Sequence, residues 1–181
     1  MTYKLSQFNS VTIAATQRAW HNDLENSPNY FPSDAHRMIE FARQNSNYAD
    51  NTLSSLAYGV FSGDSQTADS IVEVIITREG RKIVKMLECA IRPTLTEKAF
   101  SNDEAVIDKL IAIYCETILG TILIGDHNNA NIIKVYGRTN RLLSILRIVA
   151  RLLKENEISN TMYNASIEGR WLAVKPVRQG R

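Results

Sequence analysis

The chain has 181 residues, enough for one domain with a substantial core and short for two. Its 44% hydrophobic and 22% charged residues are the proportions of an ordinary globular protein, and no apolar stretch reaches the roughly 20 residues of a membrane span. The net charge of +2 conceals a division: residues 131–181 carry ten basic and three acidic side chains, a balance of +7, which leaves −5 for residues 1–130. A basic C-terminal third can meet phosphate, nucleic acid or an acidic partner, although a solvated helix face with a basic tail has the same composition.

The first ten residues lack the charged and then apolar pattern of a secretory leader. Cys89 and Cys115 both sit in apolar segments, as buried free cysteines do, so a reducing cytoplasm is the expected location. One domain is expected over residues 1–181, ending in a short basic tail at 176–181.

In chain order, residues 11–26 read as a first helix with Ile13, Trp20 and Leu24 turned to the core. The loop SPNYFPSD follows, and Ser33 or Asp34 can cap a second helix anchored by Met38, Ile39 and Phe41. Leu53 to Phe61 and Ile71 to Thr77 are rich in strand formers, and Arg78-Glu79-Gly80-Arg81 reads as the tip of a hairpin into a third strand that ends before Pro93. Thr94 to Phe100 reads as a polar connector. Ser101, three residues ahead of Glu104, offers a capping box for a third helix whose apolar face is Val106, Ile107, Leu110, Ile111, Tyr114 and Ile118.

The most informative stretch comes next. Ile132 to Tyr136 is a short β-branched run, Gly137 breaks it, and Thr139 or Asn140 can cap the helix beyond. In that helix Leu142, Ile145, Leu146, Val149, Leu152 and Leu153 recur on one face, with Arg147, Arg151 and Lys154 opposite. A strand, a tight turn and a helix N-terminus flanked by Lys134, Arg138 and Arg141 suit an anion, and are also common scaffolding. A final strand is expected over Ala165 to Val174.

Several chemistries lack their signatures. His21, His36 and His127 stand far apart with no ligand at metal spacing, so no metal site is expected. No G-x-S-x-G, Walker loop or C-x-x-C is present. No aromatic residues are interleaved with the basic ones, so nucleic acid has no motif behind it. Glu88, between Leu87 and Cys89 on an expected strand, can be a base that takes a proton from an amine, or simply the solvent side of an alternating strand. Glu73 has the same two readings.

The predicted order is helix, helix, three strands, helix, strand, helix, strand, an α/β mixed sheet with helices on both faces. This order, from about Ser10 to Val174, resembles the GNAT family of N-acetyltransferases. Leu87-Glu88-Cys89-Ala90-Ile91-Arg92-Pro93 is similar to that family's fourth strand and its exit, and Ile132 to Tyr136 followed by Asn140 is similar to its fifth strand and following asparagine. The resemblance implies that the fourth and fifth strands splay around the pantetheine arm of an acyl-CoA, with Cys89, Ile91, Arg92 and Asn140 as cofactor-binding positions and Glu88 as catalytic base. The family's glycine-rich phosphate loop is replaced here by PTLTEKAFSNDEAV, which has no glycine to let the backbone approach a diphosphate. The expected function is therefore a non-catalytic interaction or assembly protein on an acetyltransferase-like scaffold. It would use no cofactor and meet a protein partner through its basic C-terminal third. An N-acyltransferase that uses acetyl-CoA to acylate an amine is the alternative.

Overall fold

The computed structural model describes residues 2–26, 32–46, 55–77, 80, 82–99, 103–155 and 163–177. Their elements are β1 (Tyr3–Gln7), α1 (Ser10–Asn26), α2 (Pro32–Gln44), β2 (Ser55–Ser62), β3 (Ala68–Thr77), β4 (Ile83–Ile91), α3 (Pro93–Ala99), α4 (Glu104–His127), β5 (Ile132–Tyr136), α5 (Asn140–Glu155), β6 (Tyr163–Glu168) and β7 (Trp171–Pro176). The strands form one sheet in the order β1-β2-β3-β4-β5-β7-β6. It is mixed: β4 and β5 are parallel, while β1 with β2, β5 with β7 and β7 with β6 are antiparallel. This is the α/β mixed sheet that the predicted order implies.

The chain divides into two compact units, Met1–Glu73 with Cys89–Thr117, and Val74–Glu88 with Ile118–Arg181. The first is organised by α1. Asn9 caps this helix, its Oδ1 accepting from the N–H groups of Val11 (3.0 Å) and Thr12 (2.9 Å), while Thr12 Oγ1 accepts from Asn9 N. One turn apart on its inner face, Thr16 and Trp20 grip the same backbone residue. Thr16 Oγ1 accepts from Ala68 N, and Trp20 Nε1 donates to Ala68 O, both at 2.9 Å. Trp20 is thus buried with its one polar atom satisfied, as a buried indole requires. Met38, Ile39 and Ala42 of α2 join the same core.

The second unit is built on β5 and α5. Leu142, Leu143, Leu146 and Ala150 are the buried stripe of α5, and Ile133 and Val135 the buried side of β5. Gly137 keeps the turn between them close-packed, since a Cβ there would stand 3.0 Å from Leu143 Cα and 3.2 Å from Leu146 Cδ1. The expected face of α5 holds for Leu142 and Leu146. Leu152 departs from it and lies exposed.

Four features depart from the predicted order or go beyond it. Tyr3–Gln7 is an edge strand paired from Tyr3↔Ser62 to Gln7↔Tyr58; with only Tyr3 buried it has too little apolar alternation to announce itself. Residues 93–99 are a short helix, since Pro93 at its first position needs no N–H partner and Arg92 O accepts from Leu95 and Thr96 N. The single last strand is a hairpin, β6 to β7, turning at Gly169 with φ +62°. Thr121 to Ile124 continue α4, whose last residue is His127.

Asp103 caps α4, accepting from Ala105 N at 3.0 Å. The expected cap Ser101 lies outside the described residues. So do Arg78, Glu79 and Arg81 of the hairpin tip, of which Gly80 alone is described.

Candidate functional site

β4 is nine residues long and β5 five, and their parallel register runs from Ile83↔Ile132 to Met86↔Val135. Glu88 lies two residues beyond the last paired position of β4. Across from it the chain leaves β5 through Gly137 and Arg138 and enters α5. There the Glu88 carboxylate forms an ion pair with the Arg138 guanidinium; Glu88 is 12% exposed and Arg138 47%. A charge that is nearly withdrawn from water needs a partner, and this strand-to-helix turn supplies one.

The turn is held from a third direction. Arg170, in the β6–β7 hairpin, donates from Nε to Gly137 O (2.8 Å), from Nη2 to Arg138 O (2.8 Å) and from Nη1 to Asn140 Oδ1 (3.3 Å). Gly137 N returns a bond to Arg170 O at 2.8 Å. Thr139, not Asn140, caps α5, its Oγ1 accepting from Leu142 N at 3.1 Å. The side chain of Asn140 is therefore a strut to Arg170. Tyr136 and Trp171, opposite each other in the β5–β7 register, meet beside this turn with ring centroids 4.8 Å apart and planes tilted by 45°.

Two of the three cations that flank the turn are thus engaged within the chain. Arg138 pairs with Glu88, and Lys134 with Glu168 at 2.9 Å, which lowers the Glu168 carboxyl below its ordinary range.

Of the five site residues expected from sequence, Glu88 and Asn140 come together through the Arg138–Arg170 turn. Cys89, Ile91 and Arg92 belong to the first unit. Cys89 is half-buried, with Sγ 3.7 Å from Thr117 Oγ1, and Ile91 is buried. Both cysteines are half-buried, which corrects the expectation of full burial. Cys89 precedes the buried Ala90 and Cys115 follows the buried Tyr114, and neither shares its neighbour's burial.

Arg92 is committed to carboxylates. Its Nε lies 2.6 Å and its Nη2 3.1 Å from the two oxygens of Asp23, and its Nη1 lies 3.9 Å from Asp69. Thr94 Oγ1 also donates to Asp23, at 3.0 Å. The bond to Asp23 raises the Arg92 guanidinium further above its ordinary value, while burial pushes the Asp69 carboxyl up.

The other candidates are placed as follows. Glu73 accepts from Ser55 Oγ at 2.9 Å. His21 and His36 face each other at 5.6 Å between ring centroids, and among the described residues no cluster of His, Cys, Asp and Glu could hold a metal. No helix among the described residues is long and apolar enough to cross a membrane. Arg170, which holds this turn, is a residue that sequence reasoning misses, although Glu168-Gly169-Arg170 carries the signal of a tight turn.

At the β4 exit several groups that could meet a diphosphate are already engaged. The guanidinium of Arg92 is taken by Asp23, the N–H groups of Leu95 and Thr96 by Arg92 O, and those of Ala105 and Val106 by the Asp103 cap.

No family model matches this chain, and no curated protein does. Solved structures do. An acetyltransferase from Thermus thermophilus is similar over 98% of each chain, at 9% identity and a TM-score of 0.49. A GNAT-family acetyltransferase from Staphylococcus aureus covers 95% of this chain and 98% of its own, at 10% identity and a TM-score of 0.43. The N-acetyltransferase PseH of Campylobacter jejuni, in complex with acetyl coenzyme A, covers 98% and 99%, at 13% identity and a TM-score of 0.40. The expectation of no cofactor is corrected by this last structure, in which an acyl-CoA sits on a fold of this kind. The missing glycines test only one loop of this chain, which is too narrow a ground for that expectation. What the chain shares with these proteins is a GNAT-like, acetyltransferase-type fold.

Proposed function

We propose that this chain is an interaction or assembly protein on an acetyltransferase-like scaffold and does not itself transfer an acyl group. The observation that carries the reading is the ion pair between Glu88 and Arg138. A general base must be within reach of an amine and able to take its proton. Here the carboxylate is nearly enclosed and already engaged by a guanidinium, so an amine could reach it only by displacing Arg138. The second support is Arg92, whose donors are directed at Asp23 rather than at a ligand. The reading concerns acyl transfer and holds whether or not the scaffold takes up a coenzyme.

The test is turnover. With acetyl-CoA and a panel of peptide amines, polyamines and aminosugars, release of free CoA should stay at the uncatalysed rate. Release that Glu88→Gln abolishes would overturn the proposal.

A second reading, an acyl-CoA-dependent N-acyltransferase acting on an amine, is favoured by one feature. β4 runs to Ile91 while its register with β5 stops at Met86, the kind of parting expected of strands that admit a pantetheine arm. In that reading Arg138 must swing away before Glu88 can act.

A further inference from the structure

α5 buries one side against β6 and β7 and leaves an unusual face outward. From Asn140 to Lys154 it has no acidic residue and four exposed cations, Arg141, Arg147, Arg151 and Lys154. Among the described residues no carboxylate pairs with any of the four. Between them Ile148 and Leu152, one turn apart, are 56% and 59% exposed. Single exposed aliphatics are ordinary, but two stacked at i and i+4 form a ridge. At 100° per residue Arg147, Arg151 and Lys154 fall along one flank of that ridge, and Ile145 and Val149, half-buried, along the other.

Resting on the reading of this chain as an interaction protein, we propose that this face is a docking surface for an acidic amphipathic helix of a protein partner. Charge complementarity selects the occupant. Aliphatic side chains four apart on the partner would cover Ile148 and Leu152, and carboxylates at the same spacing would meet Arg147 and Arg151, which are themselves four apart. A lipid surface suits the face less well. A membrane-bound helix sinks its broad apolar side, and that side of α5, carrying Leu142, Leu143 and Leu146, is already buried. Nucleic acid suits it less as well, since the face has no aromatic side chain for a base and would set two aliphatics against phosphates.

The experiment is fluorescence anisotropy with the full chain and a labelled helical peptide of about 18 residues, five turns, carrying leucines four apart and glutamates along one flank. Binding should weaken at least about tenfold in R147E/R151E, and as much in I148S/L152S, with circular dichroism showing both variants folded. A peptide with lysine in place of glutamate should bind R147E/R151E and not the unaltered chain, a reversal that a merely structural role would not produce. Affinity unchanged in both double variants, or no binding at all, would overturn the proposal. So would tighter binding to phosphatidylserine vesicles or to single-stranded DNA than to the peptide. Acyl transfer in the turnover assay with peptide binding intact would remove the functional reading alone; lost binding without turnover would remove only the docking surface.

Discussion

Gly125, in the last turn and a half of α4, lies against β5. A Cβ at this position would fall well inside van der Waals contact of Ile133 Cγ1 and 2.5 Å from its Cδ1. Helix propensity favours Gly125→Ala by up to about 1 kcal/mol. Overpacking opposes it at about 1–3 kcal/mol. The upper end applies, because the nearest atom belongs to the stem of Ile133, a fully buried side chain on a strand with neighbours on both sides, and cannot swing aside. The net expectation is a loss of about 2 kcal/mol, a melting temperature lower by about 4–8 °C for a chain of this size.

Thermal unfolding followed by circular dichroism measures it. Ile133→Ala alone should cost about 2–5 kcal/mol for the cavity it leaves. In the double variant the new methyl occupies part of that cavity, so the combined loss should be smaller than the sum of the two by about 1–2 kcal/mol. A Gly125→Ala chain as stable as the unaltered one, or more stable, would refute the packing of α4 on β5.

Four further outcomes are expected. Asp23→Ala should destabilise by about 2–3 kcal/mol in a urea titration, less than the ~3–5 kcal/mol of a fully buried pair because water reaches part of Arg92; Arg92→Met in the same chain should recover some of it. Leu146→Ala should cost about 2–5 kcal/mol, since Leu146 is wholly buried under α5, and a loss under about 0.5 kcal/mol would contradict that placement. Burial pushes the Cys115 thiol up, which lowers its thiolate fraction, so at pH 8 it should react with a maleimide more slowly in the native chain than in denaturant. Burial and the hydrogen bond to Asp126 push Tyr163 up to about 12 from its ordinary 10. The folded state then holds a proton that the unfolded state has lost, so stability present below pH 10 should fall between pH 10 and 12, and Tyr163→Phe should flatten that slope in pH-dependent urea titrations.

What can be read from sequence follows the range over which each signal acts. The β5 run, the Gly137 break and the α5 periodicity are local and strong, and they place the turn correctly. The α1 core position of Trp20 follows from period alone, but its grip on Ala68 does not, since 48 residues separate them. β1 escapes a sequence reading because an edge strand with one buried residue looks like a polar terminus. The helix at Pro93–Ala99 escapes it because proline, which ends a strand, is equally the favoured first residue of a helix. Glu88 is legible as a carboxylate on a strand. Its partner is not, because nothing local to Leu87 or Cys89 points to a residue 50 positions away.

That pair also explains why a basic strand-to-helix turn is an ambiguous sign of a ligand. The positive end of α5, Arg138 and Arg170 together favour an anion at this place. The chain supplies one itself in Glu88, and the carbonyls that remain are taken by Arg170. Sequence cannot separate these cases, because an internal carboxylate and an external phosphate select the same cations at the same turn. Structure separates them by what is already paired. Lys134 and Arg138 have their carboxylates within the chain, whereas Arg147 and Arg151 stand on the outer face of α5 beside two exposed aliphatics. If the excess of positive charge in residues 131–181 serves recognition, its place is on that outer face, a turn or more beyond the end where the helix dipole alone would have put it.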